Sequence, residues 1–600
     1  MRRWLAGLML ALAAASAFAQ APLAKVLRYA FPTAETGFDP AQLSDLYSRT
    51  VTAHIFEQLY TYDHLARPYK VRPRLAVGMP EVSADFRTWT VRLRPGIYFS
   101  DDPAFKGVRR ELVAADVVYT LTRIFDPALK SPSYSTLQEE GISGLEALRR
   151  RALQGKQPFD GGQAVEGLQA LDRYTVQFRL DKPRPRFLTA VLANGDIFGI
   201  VAREVVEAYG DRIMEHPVGT GPFVLKQWRR SSLIVLERNP GFREEHYDAA
   251  PAAGDAQGQA WLARLKGRRL PMVDRVEISI IEEGQPRWLA FLNAQHDLLQ
   301  VVPPEFAPLA VPNGELAPNL AKRGIGLQRQ LQSDSFMTVY NMKNAIVGGY
   351  TPAQVALRRA LSLAYDAQAE AVLIRRGQAI AAQSVVTPFT SGYDPAYRSE
   401  NADFDIPRAR ALLDLYGYVD RDGDGWRERP DGSPLTIELS TPSDQIYRQL
   451  AELRQKGMTA LGVRLRVTVG SWAEQLKAAR AGHFMVWYVG STATTPDGQG
   501  ALERDYGPAA GGANLASFQL PAFDRVYEQL KLLPDGPERE ALFNQAKNLI
   551  VAYAPYKASV HRVVSDLYQP WLIGYRRPLF WKEFWDWIDI DAEMQRKDGT

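Results

Sequence analysis

HPVGTGPFVLKQWRRSSLIVLERN, residues 216–239, is the stretch from which the rest of the chain can be ordered. Gly219 and Gly221 bracket Thr220, and Pro222 follows. Glycine reaches positive φ at no steric cost and proline fixes the next φ, so the residues read as a tight turn feeding a strand. Phe223 to Trp228 and Leu233 to Arg238 then read as two strands joined by the polar turn Arg229-Arg230-Ser231-Ser232, and Asn239-Pro240-Gly241 closes the unit. It is not a phosphate loop, because no helix follows and no Lys-Ser or Lys-Thr pair completes the pattern.

The ends and the composition bound what surrounds this hairpin. Arg2 and Arg3, the apolar run from Leu5 to Ala15 and Ala17-Phe18-Ala19 have the form of an export signal. Cleavage after Ala19, by the Sec route, is the expectation. No stretch of eighteen apolar residues follows, so the sequence offers no spanning helix. There is no cysteine, which excludes disulfides, thiol nucleophiles, cysteine-based zinc sites and a lipidated cysteine. An exported chain with none of these anchors is expected to be periplasmic, not membrane-anchored and monomeric. The 600-residue length predicts more than one core. A net charge of +4 without a basic-aromatic cluster argues against a nucleic-acid partner.

Val26 to Phe31 is a strand, followed by the turn Gly37-Phe38-Asp39-Pro40 and an apolar series, Leu43, Leu46, Val51, Ile55 and Leu59, that predicts one helix. Trp89 to Asp101 alternates as strand, turn and strand. It leads into a helix from Leu112 to Arg123 whose Asp116 suits the positive helix end. Ser131 to Gly167 is rich in Gly, Gln and charge and reads as a surface excursion with a short helix near Leu145 to Leu153. Asp248 to Gly267 reads as an Ala- and Gly-rich insertion. Ser335 to Met342 is β-prone, Thr351-Pro352 caps a helix, Phe484 to Val489 is a buried strand, and Ala558 to Val563 is a further apolar strand. The aromatic tail Phe580 to Trp587 is expected to pack against the core.

The Val-Gly-Thr-Gly-Pro-Phe turn with its Arg-Asn-Pro, the Leu-Arg-x-Gly-x-x-Phe-Ser-Asp segment at 93–101 and the Ala-x-Asp-Val-Val-Tyr at 114–119 occur in the order of one family. The chain resembles the family 5 extracytoplasmic solute-binding proteins of peptide and nickel ABC importers. The resemblance implies an α/β, two-lobed periplasmic-binding-protein-like fold of type II, in the large peptide-binding class with an extra subdomain in lobe one. It places the core of lobe one at 20–70, 216–332 and 558–600, the extra subdomain at 71–215 and lobe two at 333–557, after a signal peptide at 1–19. Crossovers between the lobes fall at the strands beginning near Ser335 and Ala558.

It also implies a function without covalent chemistry: capture of a peptide or similar small solute between the lobes and delivery to membrane permease subunits. The implied ligand-binding residues are Phe38, Tyr340, Asn341, Pro388, Trp487, Tyr488, Gly490, Ser491, Thr492 and Asp497. Peptide binders of this family often carry an aspartate just after the tryptophan to meet the ligand's ammonium. Here those positions are Gly490 to Thr492, and the nearest carboxylate is Asp497. Hydroxyls suit neutral polar groups, which keeps open a non-peptide solute such as an opine, glycan fragment, haem or metal chelate. A secreted hydrolase is the other alternative, but the sequence holds no His-Glu-x-x-His and no Gly-x-Ser-x-Gly. Asp420, Asp422 and Asp424 copy the first half of a calcium loop. Position twelve is Asp431, not glutamate, and Pro430 and Gly432 indicate a hairpin. A structural calcium is the one cofactor the sequence raises.

Overall fold

A computed structural model describes residues 23–155, 159–163, 165–195 and 197–598. The expected signal segment and its cleavage site lie outside the described residues. Among the described residues no helix is long and apolar enough to cross a membrane.

Two mixed sheets share one long strand, Tyr556–Tyr568. Its first half pairs antiparallel with Asp334–Tyr340 and its second half with Gly326–Leu331 and Leu298–Leu299. On the first side the order continues through Val26–Phe31, Arg275–Ile280, Leu233–Arg238 and Phe223–Arg229. On the other side it runs from Asp334–Tyr340 through Val486–Thr492 and Thr436–Thr441 to Arg464–Val469. The backbone therefore passes between the sheets twice, at Gln332-Ser333 and within the shared strand, and these are the two crossovers read from the sequence. Alternation marks the half-covered strands: Val26–Phe31 buries every second residue, whereas the shared strand is buried on both faces and carries an almost unbroken run of buried residues.

A separate four-stranded antiparallel sheet, Glu81–Val82, Thr88–Arg92, Thr175–Arg179 and Leu168–Asp172, packs under helices Ala114–Arg123 and Leu145–Gly155. Its core is built on Trp89, Val91, Val176, Phe178, Leu121 and Leu145. Asp116 fixes the first of those helices: its carboxylate accepts the Val113 N–H at 2.8 Å and pairs with Arg110 at 2.6 Å. The aromatic tail closes the first side, as the sequence implies. Trp585 stacks on His54 at 3.7 Å between ring centroids and donates to the Tyr29 hydroxyl at 3.1 Å.

Three readings change. The apolar series from Leu43 to Leu59 forms a helix only over Leu46–Thr52, where Asp45 accepts the Ser48 N–H. Leu46 itself is exposed, while Ile55 and Leu59 are buried beyond the helix end. The chain leaves the helix there because His54 and Ile55 lend their carbonyls to Phe223 and Gly221, a tertiary demand that periodicity cannot register. The 248–267 insertion, read without an element of its own, holds helix Ala256–Leu265, whose Leu265 packs with Tyr247, Ile573 and Trp587.

The third change concerns Gly219 and Gly221. Neither takes a positive φ. A Cβ on Gly219 would lie 2.0 Å from the Ile55 carbonyl oxygen, and one on Gly221 2.6 Å from the same atom. Close approach of two backbones, not turn conformation, is what demands glycine here.

Candidate functional site

Between the four-stranded subdomain and the second sheet lies a chamber. From the subdomain come helix Tyr134–Glu140, which contributes Glu139 and Glu140, and the segment Arg184 to Asn194. From the other side come the end of strand Val486–Thr492, the loop through Asp497, the short turns from Gln499 to Asp505, and helix Pro521–Leu532. The space divides into a part of about 210 Å³ between the two walls and one of about 200 Å³ against the crossover residues Ser335 and Met337. Thr494, Thr495, Asp497, Gly500 and Glu503 line both parts.

One side chain clasps the walls together. Arg186, on the subdomain, donates to the carbonyl oxygens of Leu533 at 2.6 Å, Lys531 at 2.6 Å and Leu530 at 3.2 Å. These are carbonyls at the end of helix Pro521–Leu532, which lack intrahelical donors and carry the negative end of the helix dipole. The same guanidinium pairs with Asp497 at 3.1 Å, and Arg539 holds the other oxygen of Asp497 at 2.8 Å. Lys531 reaches back across the gap to Glu139 at 3.4 Å.

Burial disfavours charge in this space. The Glu140 carboxyl is pushed up to about 7 by desolvation, which Arg184 at 3.9 Å only partly offsets. Glu503 is pushed up to about 7 by desolvation and by the neighbouring charge of Glu139.

The residues expected from the sequence separate into two groups. Ser491, Thr492 and Asp497 line the chamber. Phe38 is buried edge-on against Trp228 at 4.8 Å, and Tyr340 is buried with its hydroxyl near Ser362. Asn341 spends its amide on the Gly482 and Phe484 carbonyls. Trp487 donates to Gln475 at 2.9 Å and Tyr488 to Glu370 at 2.6 Å, both inside the second lobe. Gly490 packs on the Phe336 ring, and the Pro388 carbonyl takes the Ser333 hydroxyl near the first crossover.

In the subdomain wall, Glu139 and Glu140 are not legible in the sequence because 131–167 reads as polar surface, and no motif singles out Arg184 and Arg186. In the acidic loop, ligand oxygens of Asp420, Asp422 and Glu428 lie within 4.8 Å of one another. Asp424 instead pairs with Arg464 and accepts the Trp426 N–H. Asp420 accepts the Gly423 and Gly425 N–H groups, and Glu428 that of Arg421, so these carboxylates also hold the turn itself.

The family model for bacterial extracellular solute-binding proteins, family 5, matches residues 70–513. The chain belongs to that family. Di/tripeptide-binding protein 2 of Pseudomonas aeruginosa is 24% identical over 577 residues, 95% of each chain. Among solved structures, the periplasmic binding protein DppA of Helicobacter pylori in complex with the peptide STSA superposes with a TM-score of 0.71 at 20% identity. The match covers 95% of this chain and 98% of that one. NikZ of Campylobacter jejuni in complex with Ni(L-His) superposes with a TM-score of 0.68 at 16% identity, over 93% and 96% of the two chains. This family 5 member thus shares the two-lobed fold with binders of chemically different solutes.

Proposed function

We propose that this protein is the periplasmic capture component of an ABC importer for short peptides, and that it binds its solute without altering it. The observation that carries the reading is the chamber between two walls joined through Arg186 and Asp497. A solute there touches both lobes at once and so favours the closed state by differential contact. The di/tripeptide-binding relative and the peptide-bound structural neighbour support a peptide over a metal chelate, and the polar lining from Ser491 to Thr495 supplies donors and acceptors for peptide groups. Delivery to permease subunits and action as a monomer follow from the same reading.

The test is thermal unfolding with a mixed dipeptide and tripeptide library, with Ni(L-His)₂, and with haem. A solute bound at a hundred times its Kd stabilises the folded state by about 2.7 kcal/mol. Stabilisation by peptides recovered intact is the expected result. Stabilisation by the chelate or haem alone, or turnover of the bound peptide, overturns it.

A further inference from the structure

Away from the solute chamber, the second lobe buries two lysines in the wall of one small cavity. Lys557, in the shared strand, is 1% exposed, and Lys547, in helix Pro537–Tyr553, is 2% exposed. Both line a cavity of about 20 Å³ together with Ser384, Tyr397, Ser399 and Asn401. The lining is drawn from 383–402 and 547–558, with no residue of the four-stranded subdomain, and it contains no aspartate or glutamate. Val385 lines both this cavity and the chamber, so the two spaces share one wall.

Neither ammonium is paired at close range. Lys557 donates to the Asn401 carbonyl at 2.7 Å. Lys547 donates to the Gly392 carbonyl at 3.1 Å and faces the Tyr397 ring at 4.5 Å. An ammonium carries three donors, so each keeps donors for a further acceptor. Among the described residues no carboxylate stands within ion-pairing distance of either. Asp394 and Glu540 attract Lys547 from farther off, and Glu370, Asp403 and Asp366 attract Lys557, but burial outweighs them. Burial, with the charge of Arg454 adding to it, presses the Lys557 amine down to about 7. The Ser384 hydroxyl accepts the Val386 N–H at 2.9 Å, which leaves its own proton to donate.

We propose that this cavity is an anion site, holding one small monovalent anion of chloride's size against Lys547 and Lys557. Two buried cations beside hydroxyls, with no acid in the lining, make a space of one sign that a single anion neutralises. Its size sets the limit: one water-sized particle needs about 10–15 Å³, so the space admits one small ion and is too small for a peptide. The site is distinct from the chamber and does not depend on which solute the chamber takes.

The experiment uses the full mature protein without solute, titrated with sodium chloride or bromide against sodium gluconate at constant ionic strength. Thermal unfolding reads the binding. The wild type is expected to show a saturable rise in Tm with chloride and bromide and none with gluconate. The apparent chloride affinity is expected to fall as pH rises from 6 to 9, because the anion binds the charged form of Lys557. Lys557→Met is expected to weaken chloride binding about 30-fold or more, while in gluconate it is at least as stable as the wild type, since it removes a buried charge. Lys547→Met is expected to weaken chloride binding in the same direction. Crystals of the wild type grown in bromide are expected to show an anomalous peak in this cavity, a readout that stands even where a variant does not fold.

Chloride acting no differently from gluconate overturns the assignment. So do variants that respond to chloride as the wild type does, an affinity that does not fall with pH, and bromide peaks confined to the surface. None of these outcomes bears on peptide binding in the chamber.

Discussion

The ion cluster beneath the 219–222 turn and the chamber between the lobes are both walled by charged side chains, but they treat those charges differently. Under the turn, Glu57 accepts Arg243 through both oxygens at 2.8 Å, Arg74 at 2.6 Å and the Thr220 hydroxyl at 2.8 Å. Arg74 goes on to Asp586 at 2.9 Å and Glu245 at 3.4 Å. Burial alone would raise the Glu57 carboxyl, yet the two arginines outweigh it and hold it down to about 2. In the chamber, burial and the charge of Glu139 outweigh the attraction of Arg504 and Lys531 for Glu503, and burial prevails at Arg504 as well. Charges paired at close range hold the architecture, whereas these chamber charges are held only weakly against burial. The same residue types stand in both places, and only their pairing tells the two apart.

The sharpest way to break that contrast is to open the closed cluster. Glu57→Gln leaves Arg74 and Arg243 short of a counter-ion in a buried site, and is expected to cost about 3–5 kcal/mol in urea unfolding. Next is Gly219→Ala, which sets a methyl group against the Ile55 carbonyl with no flexible side chain to move aside. A loss of about 3 kcal/mol is expected, with solute affinity preserved once the protein is folded. A small effect from either would mean that the turn and its ion cluster are not structural as argued.

Removing a charge from the chamber should do the reverse. The folded Glu503 carboxyl sits at about 7, above its usual value, so the folded protein holds a proton there that the unfolded chain has released. That group's contribution is neutral below the usual carboxylate value of 4.5, grows unfavourable as pH rises from there to about 7, and is constant above it. Glu503→Gln without solute is therefore expected to match the wild type at pH 4 and to exceed its stability by about 1–2 kcal/mol at pH 8. Destabilisation at pH 8 would place the residue with Glu57.

The smallest effect on stability belongs to the clasp. Arg186→Ala is expected to change unfolding by about 1 kcal/mol or less, since each wall keeps its own core. The solute-free protein should open, visible as a larger radius of gyration by X-ray scattering and a weaker apparent affinity. An unchanged radius would show that the Arg186 contacts do not set closure.

The sequence by itself determined the strand order within each hairpin, the helices that begin at caps, and the two crossovers, because alternation, capping residues and breaker positions act locally. Thr351 caps helix Pro352–Leu363 together with Gln354, and the Ser335 and Ala558 strands lie where their apolar runs put them. It also drew attention to the 487–497 segment, of which Ser491, Thr492 and Asp497 reach the chamber. Tertiary structure alone decided the rest. Helix Leu46–Thr52 is not continued because Gly221 and Phe223, far along the chain, take the Ile55 and His54 carbonyls just beyond its end. Gly219 is required by a chain that passes beside it. Trp487 and Tyr488 turn inward because their own lobe offers Gln475 and Glu370. Which of many glutamates and arginines find close partners is a property of neighbours brought together from distant parts of the chain, and no local pattern encodes it.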